Sequence, residues 1–185
     1  MEVTATKRVG FHKYTCPQSD SAKIIIDLQH GIGWDTPMEG YLVQENDSVI
    51  SGYRYSKGWA VDQRIFFTAV FSKPMKQFVV SDTTEVKAVN SINARKANRQ
   101  VLFDTEDKEN VYVKVAISPV SIENAKLNMQ AELPGWNFEQ TIADADKAWN
   151  EELSKIQIET NDAAAKRVFY TALYHTMIAP SEFCD

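Results

Sequence analysis

From Glu2 to about Val120 the chain runs in short β-branched and aromatic stretches broken by polar or Gly/Pro punctuation, with no stretch of helical period between them. Eight or nine strands fit: VTATKRVGFHKYT, AKIIIDL, GYLVQE, VISGYRYS, QRIFFTAVFS, KQFVVS, TEVKAV, RQVLFD and NVYVKVAIS. Strands this frequent without intervening helices point to an antiparallel β-sandwich, mainly β with helices only at the C-terminal end. Turn signals separate them at 17–21, 31–33, 46–48, 73–74 and 104–110. In the last run Val111, Val113, Val115 and Ile117 share a dry face, opposite a mixed face of Tyr112, Lys114, Ala116 and Ser118. Ile24–Ile26 and Ile65–Phe67 are continuous instead, the pattern of central strands covered on both sides.

Pro119 ends the strand region and Ser121 can cap a helix running to about Leu133. Asn137, with Gln140 at capping-box spacing, opens a longer helix whose seam is Phe138, Ile142, Ala145, Trp149 and Leu153. The final stretch, Asp162 to Asp185, reads as a helix capped by Asn161 or Asp162 and stopped by Pro180, with Ala165, Phe169, Ala172, Thr176 and Ala179 on one stripe. Val168 to Ser181 holds no Asp, Glu, Lys or Arg. A helix apolar nearly all round needs cover on more than one side. The chain is therefore expected to be an excerpt that stops just inside a helical domain, its tail helix covered by the sandwich, by the rest of a parent chain or by a second copy. The expected domains are a β-sandwich over 1–120, a helical linker over 121–160 and the start of a helical domain over 161–185.

With 44% hydrophobic and 24% charged residues the 185-residue chain has the composition of a globular protein, and a net charge of −5 without a basic run argues against nucleic acid. The tail helix is too short and too rich in Thr, Tyr and His for a membrane span, and the opening MEVTATKR has no signal-peptide core. Cys16 and Cys184, far apart, are read as unpaired thiols.

Chemistry is sparse. No His stands at metal-ligand spacing from another His, Asp or Glu on its element, so local spacing builds no metal site. His12 and His30 read as structural, whereas His175 is the one titratable group in the uncharged part of the tail helix. Among the tryptophans Trp149 belongs to the linker seam and Trp59 reads as a turn packing residue. Trp34, in the loop HGIGWD, is the candidate to meet a ligand with its flat indole face. Paired carboxylates are the usual tool for glycoside hydrolysis, but 25 acidic residues offer no pair that stands out.

Read together, TATKRVGFHKY, SGYRYSKGWAVDQRIFF, FSKP, VKVAISPVSIENA, AELPGWNF, AWNEELSKI and IETNDAAAKRVFYTALYHTMIAP resemble the family 92 glycoside hydrolases, the calcium-dependent exo-acting α-mannosidases. The resemblance covers nearly the whole chain. It implies a supersandwich-type β-domain joined by linker helices to an (α/α)6 barrel, with inverting hydrolysis of mannose-containing glycans at the domain interface. The catalytic acid and base and the calcium ligands are implied to lie outside this segment, so no catalytic or metal residue is assigned here. Calcium belongs to the parent and none is expected on the segment. His175 falls in the first barrel helix, while Glu182 and Asp185 fall in the loop after it. With Trp34 these are the substrate-cleft candidates, although Glu182 departs from the apolar residue expected at its place. A periplasmic or extracellular parent is implied. The alternatives are a stand-alone carbohydrate-binding or adhesion sandwich and a structural interaction module.

Overall fold

The computed structural model describes residues 1–81, 86–88, 91–94, 98–179 and 184–185. Within them the first 118 residues form strands only: β1 (Glu2–Ala5), β2 (Val9–Cys16), β3 (Ser19–Asp27), β4 (Thr36–Gln44), β5 (Val49–Lys57), β6 (Gln63–Phe71), β7 (Gln77–Ser81), β8 (Val86–Ala88), β9 (Ser91–Ala94), β10 (Asn98–Thr105) and β11 (Glu109–Ser118). Three helices follow: α1 (Ile122–Glu132), α2 (Phe138–Leu153) and α3 (Ala163–Thr176). A seven-stranded sheet in the order β1-β2-β11-β6-β5-β4-β9 faces a four-stranded sheet in the order β3-β10-β7-β8, all pairs antiparallel.

Two cores lie on opposite faces of the large sheet. Between the sheets Leu42, Ile50, Phe71, Phe78, Val101, Phe103 and Val113 interdigitate, as the alternation in β10 and β11 requires. On the far face Val9, Phe11 and Ala116 meet Met129 and Leu133 of the α1 end and Phe138 of α2. The large sheet is thus the middle layer of three. This overturns the mixed face expected for β11: Lys114 is 5% exposed beneath the helices, whereas Ile117, assigned to the dry face, is 44% exposed. The Lys114 ammonium donates to the carbonyl of Leu133 at 3.0 Å and sits 4.3 Å from the centre of the Trp136 ring. It thereby supplies the cation that the last turn of α1 lacks, although burial pushes its pKa down.

Other local expectations divide. The first strand run is a hairpin, β1 folding back on β2 through Thr6–Arg8. Ile65–Phe67 does lie in a central strand. Ile24–Ile26 does not: β3 is the edge of the small sheet, and Ile25 is 63% exposed. The Ser121 and Asn137 caps form, accepting from the backbone N–H groups of Asn124 and Gln140 at 3.0 and 3.1 Å. Gln140 does not close the capping box; its side chain donates to Asp144 instead. Arg99 of β10 is fully buried, its guanidinium 5.0 Å from the Phe78 ring centre. Its three guanidinium nitrogens have no hydrogen-bond partner among the described residues.

Helix α3 starts where Asp162 accepts from the N–H groups of Ala164 and Ala165 and ends at Thr176, four residues before Pro180. Among the described residues the sandwich does not cover it. It leans on α2 and the connector through Trp149 against Tyr174 (ring centres 4.7 Å apart) and Tyr170 Oη donating to Ile156 O. Its half-buried residues are Phe169, Tyr170 and Leu173, with Met177 at the C-cap; of the expected stripe only Phe169 is among them, and no residue of the helix is buried.

Candidate functional site

A polar assembly joins the two ends of the described chain over helix α1. Asn124, Asn128 and Glu132 recur every four residues and so share one face of α1. Asp185 lands on that face: its carboxylate accepts from Asn124 Nδ2 at 2.7 Å, Asn128 Nδ2 at 2.8 Å and the Ser118 hydroxyl at 2.7 Å. Desolvation raises the carboxyl pKa, but these donors and the Arg8 charge outweigh it and hold the group below its ordinary value. Arg8, in the β1–β2 turn, donates through Nε to Cys184 O at 2.8 Å and through Nη1 to Glu132 at 2.9 Å. Thr6 Oγ1 and Arg8 N complete the shell of Glu132 at 2.5 and 2.9 Å. Desolvation again acts upward on Glu132 and is again outweighed. A carboxylate in the last turn of a helix opposes the macrodipole, so Glu132 holds its place through these donors.

Of the four residues singled out from sequence, the structure gives a defined setting to Asp185 alone. Trp34 is 72% exposed in the β3–β4 loop. That loop is held by Arg54, which donates to Leu28 O and to Asp35 at 3.0 and 2.5 Å. His175 is exposed at the end of α3 beside Tyr174. Glu182 lies outside the described residues. Among the described residues no hydrogen bond or ring contact joins Trp34, His175 and Asp185. Trp59, read as a packing residue, is 93% exposed, and Trp149, given to the linker seam, is 40% exposed against α3. His12 shares a 3.2 Å hydrogen bond with Tyr14 Oη, and His30 pairs with Asp27, both local and structural. Thr6, Arg8, Ser118, Asn124, Asn128 and Glu132 went unnoticed in the sequence; the four-residue spacing of the two amides and the carboxylate was the available signal.

Three comparisons bear on what carries this geometry. The model of the glycosyl hydrolase family 92 N-terminal domain matches residues 1–118. The chain belongs to this family. The family 92 catalytic-domain model matches residues 124–185. A solved family GH92 alpha-mannosidase from Bacteroides thetaiotaomicron superposes with a TM-score of 0.89 at 34% identity, over 99% of this chain and 25% of that one. A second solved protein from that organism, described as an inverting mannosidase, superposes at 0.84 with 21% identity over 98% of this chain and 24% of that one, a likeness of fold alone. An uncharacterized secreted glycosidase of Arthroderma benhamiae is 32% identical over 77 residues, 40% of this chain and 10% of that protein. The family 92 chain therefore spans about a quarter of the length of the solved relatives.

A calcium site needs six to eight converging oxygens, several of them carboxylate. Among the described residues no group of three or more His, Cys, Asp or Glu side chains converges in this way. The Asp185 carboxylate, already accepting three hydrogen bonds, faces side-chain amides and a hydroxyl rather than other carboxylates. No helix among the described residues is long and apolar enough to cross a membrane.

Proposed function

We propose that this chain is part of an inverting exo-α-mannosidase acting on mannose-containing glycans. Its share of the work is scaffold: a β-sandwich over 1–120, a helical linker over 121–160 and, from 161, the first helix of an (α/α)6 barrel. The observation that carries this reading is α3, which leaves Val168 and Tyr174, and Ile178 just past its end, open to solvent while Asp185 is pinned to the sandwich and α1. An open apolar helix fixed at a set distance from the sheet is the first stave of a barrel whose other helices complete its cover. Likeness to the Bacteroides thetaiotaomicron alpha-mannosidase along the whole chain supports it. We place calcium, the acid and the base on the remainder of the parent, and the parent in the periplasm or outside the cell, in keeping with the relative described as secreted.

Inverting hydrolysis needs a protonated acid and a base-activated water held roughly 6.5 to 9.5 Å apart across the glycosidic bond. Without that preorganised pair a scaffold retains essentially none of the rate enhancement. The chain alone should give no turnover of an aryl α-mannoside or of α-1,2-mannobiose above background in millimolar calcium, whereas a longer protein carrying it should, and should lose activity to a chelator. Turnover by the chain that survives repurification and is abolished by His175→Ala or Glu182→Ala would overturn the reading.

A further inference from the structure

The tip of the β5–β6 loop exposes two large apolar side chains, Trp59 at 93% and Val61 at 89%. Backbone geometry fixes this tip rather than packing. Gly58 N donates to Ala60 O at 2.9 Å, and a Cβ on Gly58 would stand 3.1 Å from Asp35 Cα of the neighbouring loop, so the turn is closed and seated without help from the indole. Beside the indole is a concavity of about 520 Å³ lined by Trp59, Ala60, Asp62, Gln63, Arg64 and Pro119. Its polar rim is preorganised. Arg64 donates to Asp62 through Nε at 3.1 Å and Nη2 at 2.9 Å, and its guanidinium is held 5.0 Å from the centre of the Tyr55 ring. The polar junction described above adjoins it: Pro119 follows Ser118, whose hydroxyl binds Asp185.

An indole face bordered by a carboxylate, a guanidinium and a carboxamide has the chemistry of a pyranose site. The ring's C–H face lies on the indole, and its hydroxyls replace water on the polar rim. An apolar protein surface would instead strip water from Asp62 and Arg64, whose side chains are 56% and 55% exposed, with nothing to replace it. We propose that Trp59, Asp62 and Arg64 form a pyranoside-binding pocket on the sandwich. Resting on the mannosidase reading, we assign it a mannose unit of the glycan away from the bond that is broken.

The test uses the 185-residue chain labelled with ¹⁵N, whose four tryptophans give separable indole signals. Methyl α-mannopyranoside is titrated to about 100 mM, the range that reaches millimolar dissociation constants. The Trp59 indole signal should shift saturably. Trp59→Ala, which removes no buried packing, should weaken binding measured by saturation transfer to the ligand by roughly tenfold, about the factor one aromatic contact is worth, and Arg64→Ala should weaken it too. No saturable shift with methyl α-mannopyranoside, methyl α-glucopyranoside or methyl β-galactopyranoside would overturn the pocket and leave the mannosidase reading to the hydrolysis assay. Unchanged binding in Trp59→Ala would overturn it as well. Saturable binding of the glucoside or galactoside but not the mannoside, lost in Trp59→Ala, would uphold the pocket and count against mannose.

Discussion

Truncating Phe11 should detach the linker helices while leaving the inter-sheet core standing. Phe11 is fully buried on the helical face of β2, its ring centre 5.1 Å from that of Phe138, 6.0 Å from Trp136 and 5.9 Å from Tyr112. Phe-to-Ala changes in cores cost about 3–5 kcal/mol in lost transfer energy and residual cavity. The edge-on contact with Phe138 adds roughly 0.5–1.5 kcal/mol beyond area. The upper half of the first range is the better guide, because the site is walled by a strand on one side and two helices on the other and cannot collapse freely. With a urea slope of about 2 kcal/mol/M, a loss of about 4 kcal/mol moves the midpoint down by about 2 M. Hydrogen exchange locates the loss. Amides of α1 and α2 should exchange faster in Phe11→Ala at urea concentrations where β3 and β10, which pack in the other core, stay protected. A midpoint shift below roughly 0.5 M, or equal acceleration in β10 and α1, would refute the two-core reasoning.

Acid should release the Asp185 junction. The Glu132 and Asp185 carboxyls are held below their ordinary values in the folded state, so their contribution is present above the unfolded-state pKa and is lost as pH falls through the folded one. The side-chain amide signals of Asn124 and Asn128 should therefore move between about pH 5 and pH 2, and signals that stay fixed there would tell against the tether. Gly52→Ala should cost at least about 1–3 kcal/mol by thermal melting, because its Cβ would stand 2.1 Å from the carbonyl oxygen of Tyr41 on β4, a clash with backbone that no rotamer relieves. Cys16 and Cys184 are both free, so thiol titration of denatured, unreduced protein should find two per chain; finding none would indicate oxidation or modification.

How far the residues reveal the structure depends on the range of the interactions that decide each part. Period and capping are local, so the all-β first part, the two capped linker helices and the Asp162 start of α3 could be read directly. Which layer covers a strand is not local. The Ile24–Ile26 run has the composition of a central strand yet lies at an edge, because β10 offers its other side to β7. Lys114 looks solvated in sequence and is buried, because its partners are carbonyl groups at a helix end about 20 residues on, which carry no side-chain signature. The polar junction is less legible still, its hydrogen bonds spanning sequence separations of 57 to 176 residues. Trp59 misled for the opposite reason: a glycine-flanked tryptophan commonly fills a turn, and here the glycine alone makes the close approach.

The Asp185 junction has a topological consequence. It closes a circuit that leaves the sheet at Ser118, runs out along the three helices and returns to Ser118 through a side chain. A peptide cut in the exposed stretch after α2, for instance behind Lys155, would open that circuit without freeing the severed piece. The daughter chain would still be moored by its terminal aspartate, by the Arg8 contact to Cys184 O and by Tyr174 against Trp149. Nicked protein would therefore travel as one particle on a sizing column and separate into two bands only once denatured.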